Sequence, residues 1–173
     1  MESHVSAASK LPPIRRVITG HDRNNVAKVI IDGPATNAKA SASGATSTLI
    51  WSTDSTPADC AIGEDIEDLG ARIIGTPPPE SGSRFAVIEF PPGNPGRMHR
   101  TETIDYVVVI CGELDMDMDD STERLRAGDV LVQRATHHAW VNRGKETARA
   151  AFVLLDSKPL GIGNPIVRGP KAG

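Results

Sequence analysis

The side chains of this chain that are best suited to chemistry are two histidines and an aspartate, His99, His138 and Asp105. Two imidazoles and one carboxylate form a ligand set that holds non-haem iron or a related divalent ion and leaves coordination positions open. A histidine can also act as a general acid or base without a metal. Either use requires the three side chains to converge, although His138 is distant from the other two in the chain.

Strand parity predicts how they converge. Alternate residues of a strand share a face, so His99 and Asp105, which are both odd-numbered in one candidate strand, project to the same side. His138 lies in a later candidate strand, and both faces line one enclosed pocket if the strands belong to a single barrel. The residues that share these two faces, and that are predicted to line a substrate pocket, are Thr101, Thr103, Trp140 and Asn142.

The elements that must position these residues are short strands. From Arg84 onwards the chain alternates β-rich runs with turns that contain Gly, Pro, Asn and Asp, and no helical period lies between them. This pattern predicts an all-β fold, an antiparallel sandwich or barrel. In the segment 113–119 acidic residues alternate with apolar ones, which predicts an exposed acidic face. Arg134 is interpreted as an exposed arginine, with a contact to a substrate carboxylate as the alternative.

Composition limits the class of protein. The formal net charge of −3 gives no basic surface for nucleic acid or for an anionic membrane, and no apolar run has the length of a membrane span. Cys60 and Cys111 are the only cysteines, and we interpret them as reduced residues of a cytoplasmic protein. The N-terminus lacks the apolar stretch of a secretory signal. The expected partner is a small-molecule substrate.

Two motifs resemble those of the cupin family. The spacing Gly93-x5-His99-x-Thr101-x3-Asp105-x6-Gly112 is similar to the first cupin motif, G-x5-H-x-H-x3,4-E-x6-G. The stretch from Gly128 to Asn142 resembles the second motif, G-x5-P-x-G-x2-H-x3-N, without its P-x-G element. In this chain Thr101 stands where cupins have a second histidine, and Asp105 stands where they have a glutamate.

This resemblance implies a double-stranded β-helix, the cupin jelly-roll barrel, with extra N-terminal strands. The expected organisation is a flexible tail over 1–13, strands and loops that pack on the barrel over 14–80, the barrel over 81–158 and an irregular tail over 159–173. The resemblance also favours a homodimer.

The resemblance further implies a function. HRTETIDY and VQRATHHAWVN look like a subgroup of short cupins from fungal and bacterial secondary metabolism, some of them described as cupin-domain oxidoreductases. The implied activity is a metal-dependent oxidation of a small polyketide or aromatic intermediate. His99, Asp105 and His138 would bind Fe, Mn, Ni or Zn, and Thr101 would assist catalysis by holding a water molecule or a substrate oxygen. Two alternatives stay open: a non-redox dehydratase, isomerase or decarboxylase, and a metal-free cupin that binds a small molecule.

Overall fold

The computed structural model describes residues 11–63 and 65–168, which form eleven β-strands and no helix. Residues 1–10 and 169–173, which include most of the predicted N-terminal tail and the end of the predicted C-terminal tail, lie outside the described residues. The strands are β1 Arg15–His21, β2 Ala27–Pro34, β3 Ala38–Ala40, β4 Thr46–Thr53, β5 Ser83–Phe90, β6 Thr103–Cys111, β7 Glu113–Met118, β8 Thr122–Arg126, β9 Val130–Arg134, β10 His138–Val141 and β11 Ala148–Asp156. The predicted all-β class is confirmed.

The strands form three antiparallel sheets. The largest has the order β3-β4-β5-β11-β6-β9, a second has the order β10-β7-β8, and β1 pairs with β2 alone. Both β3 and β4 come from the segment that was expected to pack on the barrel, and they are hydrogen-bonded into its larger sheet. The N-terminal segment therefore extends the barrel wall.

The hydrophobic core lies between the six-stranded and the three-stranded sheets. Phe90, Val107 and Phe152 face it from the larger sheet, and Leu114 and Trp140 face it from the smaller one. On β6 and β11 the inner side chains alternate with more exposed residues, as expected of strands that are covered on one side, whereas all four residues of β10 are buried. The core holds the two sheets together and fixes the positions of the polar side chains between them.

Strand β6 shows the predicted parity. Thr103 and Asp105 are buried on its inner face together with the core valines, whereas Tyr106 and Val108 are exposed on its outer face. Because β6 lies between β11 and β9, its inner side chains point at the centre of the barrel. The outer face of β6 and β9 is apolar and exposed, and the expected homodimer stays a prediction.

The predicted exposed acidic face on β7 is wrong for Asp115. This side chain is only 3% exposed and accepts hydrogen bonds from Arg124 Nε at 2.8 Å and from Arg143 Nη1 at 3.1 Å. The two guanidinium groups lower the pKa of the carboxyl, the bond from Arg124 having the larger effect. Two arginines from other segments therefore cover a position that simple alternation predicts to face solvent.

The described part of the C-terminal segment, 159–168, contains no strand but is bound to the barrel. The Ile166 amide donates to the Arg100 carbonyl at 2.7 Å, and the Arg100 guanidinium donates to the Ile162 carbonyl. These bonds bring Ile166 to the wall of the internal cavity. Nowhere in residues 11–63 and 65–168 is there a helix long and apolar enough to cross a membrane.

Candidate functional site

A cavity of about 330 Å³ opens between the sheets, a volume suited to a small organic molecule. Its walls come from β3, β4, β5, β6, β10 and β11 and from the turn that precedes His99. His99, Asp105 and His138 all line it, so the fold brings the three predicted site residues to one space. The wall also includes Thr101 and Trp140 from the predicted substrate pocket.

His99 and His138 face each other across a short antiparallel bridge. The amide of each donates to the carbonyl of the other at 2.9 Å, and their ring centroids are 4.5 Å apart. This backbone bridge fixes both Cβ positions, and the edge of Trp140 packs against the His138 ring at 5.9 Å between centroids. The two imidazoles are thus held side by side by backbone hydrogen bonds and by packing.

His138 Nδ1 has two polar neighbours. It lies 2.7 Å from Gln133 Nε2, which also donates to the Thr136 carbonyl at 3.0 Å, and it lies 3.0 Å from that carbonyl itself. With the proton on Nε2, Nδ1 accepts a hydrogen bond from Gln133, and with the proton on Nδ1, it donates to Thr136, so these contacts admit both tautomers. Burial lowers the pKa of His138 to about 4, which keeps the ring neutral near pH 7.

The hydrogen bond of the His99 ring fixes its tautomer. Its Nδ1 lies 2.8 Å from the Arg97 carbonyl, an acceptor only, so this nitrogen carries the proton and Nε2 has the lone pair. Burial also lowers the pKa of His99. In the described part of the chain no protein group bonds to either Nε2. The Nε2 atoms of both rings are therefore left for a ligand, that of His99 as an acceptor.

Asp105 is the third polar group of this wall. It is 4% exposed, and its Oδ1 is buried without a hydrogen-bond partner among the described residues. Burial raises the pKa of Asp105 to about 6, although Thr103 and the charge of Arg84 act in the opposite direction. A carboxyl with this pKa exchanges protons readily near neutral pH.

The two threonines have different positions. The Thr101 and Thr103 hydroxyls are 2.7 Å apart and share a hydrogen bond. Thr101 lines the cavity, whereas Thr103, although fully buried, is not among the residues that line it. The predicted contact of Thr103 with a substrate stays a prediction.

Asn142 is also not part of the cavity wall. Strand β10 ends at Val141, and the Asn142 amide donates to the Phe90 and Glu146 carbonyls at 2.8 Å each. Its oxygen accepts from the Gly144 amide at 2.9 Å. The side chain thus closes the turn after β10, because strand parity no longer applies once the chain leaves the strand.

Sequence reasoning missed Arg84, Lys39 and Ile166, which line the cavity from outside the cupin motifs. Arg84 is 8% exposed and lies on the inner face of β5, in phase with Ala86 and Phe90. A charged residue in phase with buried apolar ones was the available signal for Arg84. Lys39 and Ile166 carry no comparable signal, because they belong to a three-residue strand and to an irregular segment.

Comparisons with known proteins agree with this architecture. A family model described as a cupin domain matches residues 86–154. Phomopsin biosynthesis cluster protein C' of Diaporthe leptostromiformis is 39% identical over 126 residues, which are 70% of this chain and 66% of that protein. The cupin-domain-containing oxidoreductase srdB of Neurospora crassa is 33% identical over 148 residues, 84% of this chain and 74% of that protein. The cupin domain of Schizosaccharomyces pombe Cnp3 shares the fold, with a TM-score of 0.52 at 14% identity over 83% of this chain and 88% of that chain.

The barrel, the two motifs and these relatives define the class: the chain belongs to the cupin family, and the predicted double-stranded β-helix is confirmed. More particularly, it is similar to proteins named for biosynthesis clusters and to others named cupin-domain-containing oxidoreductases, as the sequence motifs predicted.

Cupin domains commonly bind metal ions, so the fit of a metal to these side chains matters. Within residues 11–63 and 65–168 no group of three or more His, Cys, Asp and Glu side chains is arranged to hold one. Thr101 stands where cupins have their second motif histidine, so the site has one imidazole fewer than the usual set. Asp105 is one methylene shorter than the usual glutamate. The predicted ligand set of His99, Asp105 and His138 therefore does not fit a resident metal in this arrangement.

Proposed function

We propose that this cupin is an enzyme of secondary metabolism that moves protons on a small polyketide or aromatic intermediate held in the cavity. The observation that carries the proposal is the facing pair of imidazoles, His99 and His138, which line one cavity with the buried carboxyl of Asp105. In this proposal His99 carries its proton on Nδ1, and His138 carries its proton on Nε2 with Nδ1 accepting from Gln133. The names of the relatives support the metabolic setting. The cavity volume supports a substrate of small size.

His138 serves as the electrophilic group. Its Nε2–H donates a hydrogen bond to a substrate carbonyl oxygen, and because the ring is neutral it keeps this proton while negative charge develops on the oxygen. Gln133 holds Nδ1 and so preserves the tautomer that makes this possible. His138 is thus suited to stabilising an enolate without becoming a cation.

Asp105 or His99 serves as the base. The base takes a proton from the carbon next to the carbonyl, the C–H electron pair becomes the C=C bond, and the carbonyl π electrons move to the oxygen bound by His138. Return of the proton to another carbon completes an isomerisation, and loss of a β-hydroxyl as water completes a dehydration. Neither outcome requires an oxidant.

Deuterium incorporation tests this proposal. The purified protein is incubated in D2O with a panel of aromatic and polyketide carbonyl compounds, and mass spectrometry measures exchange at carbon. We expect exchange with the wild type. With His138→Gln we expect an exchange rate that is lower by about a hundredfold or more, which is the usual scale of acid–base catalysis. His137→Gln is the matched control, since His137 is exposed and pairs with Asp119. Equal rates in the wild type and His138→Gln would contradict the proposal.

A second candidate, a metal-dependent oxidoreductase, is favoured by the adjacent imidazoles and by the oxidoreductase names of several relatives. Elemental analysis after expression with added Fe, Mn, Ni and Zn separates the two candidates. About one metal ion per chain, lost in His138→Ala, together with oxygen consumption, supports the oxidoreductase. Exchange that persists in the presence of a chelator supports proton transfer.

A further inference from the structure

The wall of the same cavity carries a positive charge that the proposed chemistry does not use. Arg84 is buried on β5, and its Nε has no hydrogen-bond partner in the described part of the chain. Its one side-chain bond goes from Nη2 to the Ser47 hydroxyl at 2.7 Å. A guanidinium taken out of water needs more acceptors than one neutral hydroxyl, because each of its five N–H groups loses a bond to solvent.

No internal carboxylate supplies those acceptors. The structure forms neither a hydrogen bond nor an ion pair between Arg84 and Asp105, the single acidic side chain among the residues that line the cavity. Asp105 itself keeps a buried oxygen without a partner. Two complementary groups in one cavity are therefore both unsatisfied, which indicates that a ligand supplies the missing bonds.

Most of the other charged side chains that line the cavity are also positively charged. Lys39 and Arg97 stand with Arg84 around the space, whereas Asp105 alone is acidic and the histidines are neutral. A small anion entering the cavity is attracted by this excess of cations. The planar fork of a guanidinium matches the two oxygens of a carboxylate, which makes Arg84 a better partner for it than a lysine.

We propose that Arg84, supported by Ser47 and Lys39, is a carboxylate-binding subsite, and that the natural substrate is a small organic acid. The inference rests on the proposed function, because it places the acid group of the substrate at Arg84 and the reacting carbon near the histidines. Arg84 is a positioning residue in this account. The subsite restricts the substrate class to aromatic or polyketide carboxylates.

Binding of benzoate and benzamide to the wild type tests the charge requirement. The two probes have nearly the same shape, so a neutral apolar pocket binds them equally. We expect benzoate to bind about tenfold more tightly than benzamide by calorimetry, as for a charge-assisted pair. Affinities within about twofold of each other would overturn the subsite.

Substitution tests the residue. Arg84→Gln keeps an N–H donor without the charge, and we expect it to abolish the preference for benzoate. Arg134→Gln, in the exposed end of β9, is the matched control and keeps that preference. A folded Arg84→Gln protein that still prefers benzoate would overturn the assignment. If Arg84→Gln does not fold, the same binding measurement is made on Ser47→Ala. An unchanged preference for benzoate in Ser47→Ala would also overturn the assignment.

Different results would contradict the carboxylate subsite and the proton-transfer function, so the two proposals are tested separately. His138→Gln is expected to lose deuterium exchange and to keep the preference for benzoate. An enzyme that exchanges neutral carbonyl compounds as fast as their carboxylates retains its proposed reaction but has no carboxylate subsite. A preference for benzoate without exchange leaves the subsite in place and removes the reaction.

Discussion

His99 and His138 are joined by two backbone hydrogen bonds of 2.9 Å, one in each direction, although they belong to different cupin motifs. This bridge places one ring beside the other with a centroid separation of 4.5 Å. Because the bridge uses only main-chain atoms, either side chain can be replaced without loss of the bridge. The chemical roles of the two imidazoles can therefore be separated by mutation.

The two histidines should act as one unit. We expect His99→Gln and His138→Gln each to slow deuterium exchange strongly, and the double variant to be hardly slower than the worse single one, since a donor–acceptor pair fails when either member is lost. Exchange kinetics of the four proteins measure this coupling. Additive losses would show that the two rings act independently.

Asp105 and His138 should have opposite effects on stability as pH changes. The pKa of Asp105 is raised from 3.8 to about 6, so the folded state holds its proton longer and stability falls as pH rises through this window. The pKa of His138 is lowered from 6.5 to about 4, so the unfolded state binds the proton first and stability rises over a similar window. Each effect amounts to about 2 to 3 kcal/mol and they largely cancel in the wild type.

Single variants should remove this cancellation. Between about pH 4 and pH 6.5, we expect the unfolding free energy of Asp105→Asn to rise with pH and that of His138→Gln to fall. His99, whose pKa is also lowered, adds to the rise in Asp105→Asn. Urea unfolding at several pH values measures the slopes. Parallel profiles for the two variants would contradict the assigned environments.

Asp115 should contribute more to stability than the other acidic residues of β7. Its carboxylate is buried under two half-exposed guanidinium groups, so we expect Asp115→Asn to lower the unfolding free energy by about 1 to 2 kcal/mol. The matched control is Glu113→Gln, in an exposed pair with Arg126, with an expected change below about 0.5 kcal/mol. Urea unfolding measures both, and equal changes would contradict the role assigned to burial.

Gly112, which ends the first motif, should tolerate no side chain. Its φ is +74°, and an added Cβ would lie 2.8 Å from the Ala148 Cα, so Gly112→Ala should cost about 3 kcal/mol. Gly93 has the same φ but open space around it, so Gly93→Ala should cost only about 1 kcal/mol of backbone strain. Gly33, with open space and no positive φ, is the neutral control. Thermal unfolding ranks the three, and a different order would contradict the account.

Much of the barrel could be predicted from sequence, because period-two alternation in β6 reports which side chains are buried. Alternation failed at Asp115, where two arginines from other segments cover the position, and at Asn142, where the strand had ended. Both failures arise from tertiary contacts that a local pattern does not contain.

The motifs located His99, Asp105 and His138 in one cavity, but they contained no information on tautomers. The proton position proposed for His138 depends on Gln133, which lies in the part of the second motif that departs from the family pattern. Arg84 and Lys39 entered the cavity through the pairing of β3, β4 and β5, which no motif describes. The chemistry of the site is therefore set largely by residues outside the recognisable positions.

Gln133→Glu should reverse the properties of His138. A carboxylate at this position accepts a hydrogen bond from a protonated Nδ1, which leaves the lone pair on Nε2, so we expect lost exchange activity and tighter binding of Zn²⁺ or Ni²⁺. Arg134→Gln is the neighbouring control. Calorimetry with each ion measures the affinity, and unchanged metal binding in Gln133→Glu would contradict the proposed control of the tautomer.

The central claim, a pair of neutral imidazoles with opposite tautomers, can be observed directly in the wild-type protein. A long-range proton–nitrogen correlation NMR spectrum of the histidine rings reports which nitrogen of each carries the proton. We expect near pH 7 a protonated Nε2 in His138 and a protonated Nδ1 in His99. Protonation of His138 on Nδ1, or on both nitrogens, would contradict it.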